Sequence, residues 1–460
     1  MKLKLAELTQ NVDMTRGNIL KQVMIFAFPL MLTNLLQQLY NIADSAIVGR
    51  FDSAGALAAV GSAGAIVGLL NGFLMGFVNG SSIVTAQYYG ASDGKNLEKS
   101  IHTTYALAIA TGIFLTIVGL IFSPVLLRLI HVPEDIFDQT LLYIRIFFLG
   151  SLPNSIYCFS AGILRAEGDS RNPLFFLAFS GLVNVILNLI LVIVFHLGVL
   201  GVAVATVVSQ IISAILSTVS LLRADGSCKL YFKKLRLHLE IITKILQVGV
   251  PAGIQSMLFS ISNIFIQASI NQFGSIMIAG CTAASNIDGC LFQITGAFGA
   301  AAVTFSSQNY GAGNHDRIRK GAVKCAWLTM AVVFVLGMVT TFFGKPLLSL
   351  FNEDPAVIDA GMERLMILIP TIFLYSGFET LCSVIRGCGS SFVPMILAIF
   401  GVCISRLAWI YTILPFFNRI EIIFYSYPVS YVLSFMMILI YYFGFQHHWL
   451  YHTKKKKQLL

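Results

Sequence analysis

Asn34, Gln37, Asn41 and Asp44 stand at spacings of three, four and three within an apolar stretch of a 460-residue chain. On a helix such spacing gathers all four onto one face. Lipid penalises a stripe of this kind, so it must face protein or a water-filled cavity. A carboxylate near a bilayer centre costs about 2.5–3.5 kcal/mol on insertion scales, which makes Asp44 a candidate for binding a proton or a sodium ion. Neutral oxygens that could share the ion come from Asn184 and Asn188, one helical turn apart, and from Thr206. Counted inward at about 1.5 Å per residue from outer ends near Arg50, His196 and Gly198, Asp44, Asn188 and Thr206 lie roughly 9–12 Å deep, with Asn184 a turn deeper. The alternative is a hydrogen-bonded cluster that only holds helices together.

The second half of the chain has a polar face of its own, Ser256, Ser260, Asn263, Gln267 and Asn271, without an acid. Its acids, Asp288 and Glu379, stand elsewhere and are opposite Val67 and Cys158 in the first half. Either acid could attract a cationic substrate, carry a proton, or pair with another helix. Metal chemistry finds no support. His447, His448 and His452 form a loose cluster, and the eight cysteines show no ligand spacing and read as small packing residues. No nucleophile–base pair points to an enzyme.

The elements that must position these residues are membrane helices. The chain is 57% hydrophobic and 11% charged, with a mean hydropathy of +0.82. A soluble domain carries roughly a quarter charged residues. Twelve apolar runs are long enough to cross a bilayer, near 20–44, 56–80, 101–123, 141–163, 174–196, 199–222, 245–271, 276–305, 322–343, 365–385, 392–414 and 422–445. They organise as an amino-terminal segment (1–18), an N-lobe (19–222), a polar linker (223–244), a C-lobe (245–445) and a basic tail (446–460). No cleavable signal is expected, because the first 18 residues are mostly polar and the apolar run after them is too long. Net charge is +9, and most Lys and Arg fall in the amino terminus, the even-numbered connections and the tail. The positive-inside rule then places both termini in the cytoplasm of a multi-pass cell-membrane protein. Lys454 to Lys457 read as an orientation anchor or as a grip on anionic lipid. No basic groove suggests nucleic acid, and no obligate protein partner is implied.

The chain repeats itself at an offset of about 221 residues. Gln87-Tyr88-Tyr89-Gly90-Ala91 answers to Gln308-Asn309-Tyr310-Gly311-Ala312, and Arg165-x-x-Gly168 to Arg386-x-x-Gly389. Pro29, Pro124 and Pro173 likewise match Pro251, Pro346 and Pro394. Because each half has six spans, the halves enter from the same side as parallel repeats, which is the organisation of a transporter. Gly64, Gly68, Gly72, Gly76 and Gly80, every fourth residue of the second span, form a ridge along which backbones can approach closely. The Gln-x-Tyr-Gly-Ala segments are expected to end helices at their glycines, and both Arg-x-x-Gly ends read as structural anchors.

Taken in order, Pro29, Gln38-x-Tyr40-Asn41-x-x-Asp44 and the paired Gln-x-Tyr-Gly-Ala and Arg-x-x-Gly motifs resemble the multidrug and toxic compound extrusion (MATE) transporters, from about residue 16 to 445. The resemblance implies an all-α protein of two pseudo-symmetric six-helix bundles. It further implies an antiporter that expels organic, often cationic, compounds in exchange for H+ or Na+, with no other cofactor. It makes Asp44, Asn184 and Thr206 the ion site. Beside it, Pro29 lacks a backbone hydrogen bond and gives the helix a hinge, and Asn34, Gln37, Tyr40 and Asn41 form the cavity stripe. Asn188 replaces an acid usual in the family, which leaves at most one negative charge and removes a repulsion that would raise the Asp44 pKa. In another branch the acids of the second lobe fall where this chain has Phe259 and Tyr375, so that site is not supported; Glu379 lies one turn beyond. A lipid-linked oligosaccharide flippase of related architecture is the main rival, and its cavity would carry several cations where only Arg145 and Arg406 stand near helices. An ion channel is a further rival, without a visible filter sequence.

Overall fold

A computed structural model describes residues 12–51, 54–129, 132–417 and 419–445, with side chains except at 41–46, 48–51, 54–62, 65, 69 and 135. The segment 1–11 and the tail 446–460, with its histidines and lysines, lie outside the described residues. Every regular element among those described is helical. The first half comprises α1 (Ile19–Phe51), α2 (Ala54–Gly90), α3 (Gly94–Leu129), α4 (Glu134–Leu149), α5 (Ser151–Ala166), α6 (Arg171–Asn188) and α7 (Gly198–Arg223). The second comprises α8 (Leu239–Ile270), α9 (Ser275–Gly311), α10 (His315–Phe342), α11 (Gly344–Ser349), α12 (Pro355–Leu368), α13 (Ile372–Gly387), α14 (Phe392–Ala398), α15 (Ser405–Phe417) and α16 (Ile420–Gly444). Among the described residues eleven helical spans are long and apolar enough to cross a bilayer, and α4–α5, bent by 45°, makes a twelfth if read as one span. All eight cysteines are free.

The duplication reappears as backbone geometry. After α2, Asp93 N–H donates to Tyr88 O and Ser92 N–H to Tyr89 O; after α9, Asn314 N–H donates to Asn309 O and Gly313 N–H to Tyr310 O. This crossed pair of bonds is a Schellman cap, which requires a left-handed residue just past the helix. That residue is Ser92 (φ 54°) in one half and Gly313 (φ 75°) in the other. The glycines of the motif, Gly90 and Gly311, are the last helical residues and do not themselves reverse the chain. The same cap closes α5 and α13, at Gly168 (φ 90°) and Gly389 (φ 91°), so the Arg-x-x-Gly glycine is the left-handed residue.

Two compact units result. Among the described residues one holds 12–13 and 28–253, the other 14–27 and 254–445. In the first unit the glycine ridge of α2 is used only in part. A Cβ on Gly76 would lie 2.6 Å from the Gly253 backbone, and one on Gly80 would lie 2.5 Å from Ile245 O, so α2 and the start of α8 touch backbone to backbone. Gly64 and Gly68 have no described atom within 4 Å of such a Cβ. Among the described residues the close backbone contact of the ridge is at its carboxyl end. In the second unit the core joins α9, α10, α13 and α16 through Ala302, Ile318, Phe378, Ile385 and Tyr442, all almost fully buried.

Span 10 begins earlier than 365. Asp354 caps α12 through its carboxylate, which accepts from Ala356 N–H, and Pro355 fills the first helical position. The span then runs from Pro355 to Gly387, interrupted by a 3-10 turn at Ile369–Thr371. The correction carries Arg364 from a connection into a membrane helix.

Candidate functional site

In the first unit, Pro29 is buried inside α1, which continues helical past it; Thr33 Oγ1 donates to the Pro29 carbonyl at 2.8 Å. Asn34 is half-buried and Gln37 exposed. Tyr40 donates its hydroxyl to Ala178 O of α6 at 3.3 Å, and its ring lies where a Cβ on Gly181 would stand, so that glycine is required by close approach. Asn41 and Asp44 belong to α1, but their side chains lie outside the described residues.

On α6, Asn184 and Asn188 are 3% and 0% exposed, and Asn188 Nδ2 donates to Asn184 Oδ1 at 3.2 Å. A buried amide pair in a membrane helix is expensive unless its polar atoms are matched, so it marks a place where polarity is retained for a reason. A π-helical segment, Leu189–Val194, follows directly, and such irregularities recur at functional sites. Thr206, on α7, donates its hydroxyl to Val202 O at 2.9 Å and keeps oxygen lone pairs for another donor or an ion. As the first and fifth spans, α1 and α6 run in the same direction. Tyr40 is level with Ala178, so the backbone of Asp44 lies about 6 Å and that of Asn184 about 9 Å further along their helices.

The second unit encloses a cavity of about 430 Å³ whose walls include Phe259, Asn263, Asp288, Phe292, Tyr375 and Arg406. Asp288 is not a lone acid. Arg364 of α12 donates to its Oδ2 through Nη2 at 2.9 Å and Nε at 3.2 Å, and both side chains are under one-tenth exposed. Glu379 is likewise paired within α13, where Oε1 accepts from Nη1 and Nη2 of Arg386, both at 3.0 Å. Asp288 thus pairs with another helix, one of the readings left open by the sequence, whereas the arginine partner of Glu379 stands on its own helix. Cys158, opposite Glu379 in the repeat, lies 3.7 Å from Asn154 Oδ1, and among the described residues no acid pairs with Arg165.

Sequence reasoning missed Arg364 as a membrane residue because the hydropathy of span 10 rises only after it. The Asp354-Pro355 pair is a helix-start signal that could have found it. Arg406 was visible in span 11, but its neighbours on α16 were not. Among the described residues no group of three His, Cys, Asp or Glu side chains could hold a metal.

Two six-helix halves, each with buried polar groups inside membrane spans, define a membrane transporter. The MatE family matches residues 29–190 and 251–412, the two halves of the repeat. The chain belongs to this family, whose members are transporters and not enzymes. It is 28% identical to the probable multidrug resistance protein YoeA of Bacillus subtilis, covering 97% of this chain and 96% of that one. It is 29% identical to the probable multidrug resistance protein YpnP of the same organism, over 86% and 88% of the two chains. A crystal structure of MATE in the bent conformation superposes with a TM-score of 0.86 at 20% identity, covering 96% and 99%, which is a likeness of fold.

Proposed function

We propose that this chain is a secondary antiporter that exports organic compounds, often cationic, by alternating access in exchange for H+ or Na+, with both termini in the cytoplasm. The observation that carries this reading is the buried Asn184–Asn188 pair on a helix packed against Tyr40 of α1, one turn from the intramembrane acid Asp44. The multidrug names of the relatives support drugs as cargo. In this reading Asp44, Asn184, Asn188 and Thr206 take up the ion. Neutralising Asp44 lowers the penalty for enclosing it and favours one arrangement of α1, bent at Pro29, where a backbone hydrogen bond is missing. If that arrangement has the lower cargo affinity, ion entry drives release outward, because coupling needs a differential preference between states.

The test is dye efflux from proteoliposomes under separately imposed sodium and pH gradients, with wild type and Asp44→Asn. Loss of gradient-driven efflux in the variant, with the protein still monodisperse, is the expected result. Undiminished efflux eliminates Asp44 as the coupling group. A flippase for lipid-linked oligosaccharides is the second reading; the one unpaired arginine among the described residues of the C-lobe cavity, Arg406, falls short of the several cations such a cavity would carry, so export is preferred.

A further inference from the structure

The cavity of the second unit carries charge of the sign opposite to that of a cation trap. Among the described residues three charged side chains line it: Asp288, Arg364 and Arg406. The first two neutralise each other through the two-point contact described above, which leaves one formal positive charge on Arg406.

Arg406 is 6% exposed. Its Nε donates to Ser430 Oγ at 2.9 Å. Its guanidinium lies over the Tyr427 ring at 4.2 Å from the centroid and near the Tyr431 ring at 5.3 Å. Stacking engages the faces of a planar guanidinium, not the N–H bonds in its plane. Among the described residues no carboxylate pairs with Arg406 and no acceptor meets Nη1 or Nη2. An immobilised two-nitrogen edge therefore remains at the cavity wall. That edge matches the paired oxygens of a carboxylate, sulfonate or phosphate.

The surroundings agree. A π-helical segment, Ile399–Ile404, directly precedes α15 and re-aims the residues that follow it, Arg406 among them. Phe259 and Phe292 supply apolar wall for the body of a ligand, and Asn263 adds a neutral amide. The volume of about 430 Å³ admits a small two-ring molecule. Retaining an unpaired cation inside a membrane lobe is costly for the empty protein, and an incoming oxyanion relieves that cost.

We propose that this cavity binds the oxyanion end of an amphipathic organic anion or zwitterion, anchored by Arg406. As a statement about cargo it deepens the export reading and rests on it; as a statement about binding it is measured without transport.

The test is calorimetric titration of the full chain, purified in a non-ionic detergent, with three probes of one shape: 2-naphthoate, 2-naphthamide and 2-naphthylmethylammonium. The expected result is one naphthoate site at least tenfold tighter than either other probe. Arg406→Gln abolishes that preference and Arg406→Lys keeps part of it. Asn263→Asp, at an exposed cavity position, weakens naphthoate and strengthens the ammonium probe; it decides the matter if Arg406→Gln does not fold. Equal affinity for all three probes, or naphthoate binding unchanged in both Arg406→Gln and Asn263→Asp, overturns the proposal. Displacement of naphthoate by dioctanoyl phosphatidate assigns the oxyanion to a lipid headgroup, and its absence assigns it to soluble acids. Naphthoate binding without gradient-driven efflux removes the export reading and leaves this site; efflux without binding does the reverse.

Discussion

Breaking the Asp288–Arg364 pair tests whether the second lobe is organised by charge balance. Arg364 is joined to Asp288 by two hydrogen bonds of 2.9 and 3.2 Å, with both partners nearly dry. Removing one partner of such a pair leaves an uncompensated charge and costs about 3–5 kcal/mol. The two single variants should differ. Arg406 is within electrostatic reach of Asp288, so Arg364→Gln leaves the acid a residual neighbour of opposite sign and falls near the lower end of the range. Asp288→Asn leaves two cations on one cavity and falls near the upper end. The double variant removes both charges and should be markedly less damaging than the sum of the singles, because replacing a whole buried pair is often close to neutral. For a lobe of about 200 residues, 3–5 kcal/mol corresponds to a fall in Tm of roughly 6–20 °C. The assay is size-exclusion chromatography of detergent-solubilised protein after graded heating. A fall of less than about 2 °C for Asp288→Asn, or a double variant as damaged as the sum, would refute the argument.

Glu167 predicts a pH dependence on the polar side of α5. It is 5% exposed, and burial pushes its carboxyl up to about 8, against a smaller opposing effect from a hydrogen bond with Cys228. The folded chain therefore holds this proton more tightly than the unfolded one, and the stability it contributes is complete below about pH 4.5 and is lost as pH rises through about 8. Tm should fall between pH 5.5 and 8.5, with on the order of 3–5 kcal/mol at stake, and Glu167→Gln should flatten that slope; an unchanged slope in the variant sinks the assignment. Gly76→Ala and Gly80→Ala should each lower Tm by the equivalent of about 1–3 kcal/mol through backbone overpacking. Gly64→Ala and Gly68→Ala should be neutral or stabilising by up to about 1 kcal/mol, since a Cβ meets no described atom there. Four similar Tm values would show that the ridge acts as a unit after all.

Much of this protein is written locally and was read from residue order. Apolar runs identify membrane spans because a bilayer demands a fixed length of continuous helix. The repeat of Gln-x-Tyr-Gly-Ala and Arg-x-x-Gly is equally legible, and each becomes the same crossed pair of backbone bonds in both halves. Even the early start of α12 was announced by Asp354-Pro355, a signal outweighed by a hydropathy rise that begins ten residues later. Pairings across the chain were not legible. Asp288 and Arg364 are 76 positions apart, and nothing in either neighbourhood says that one neutralises the other. Gly76 and Gly64 look alike in sequence, yet among the described residues only Gly76 meets another backbone. The sign of the C-lobe cavity is a sum over side chains from several helices, and a single unpaired arginine decides it. Only packing settles which charges cancel, because the energy of an ion inside a membrane lobe depends on the few ångströms between it and its partner.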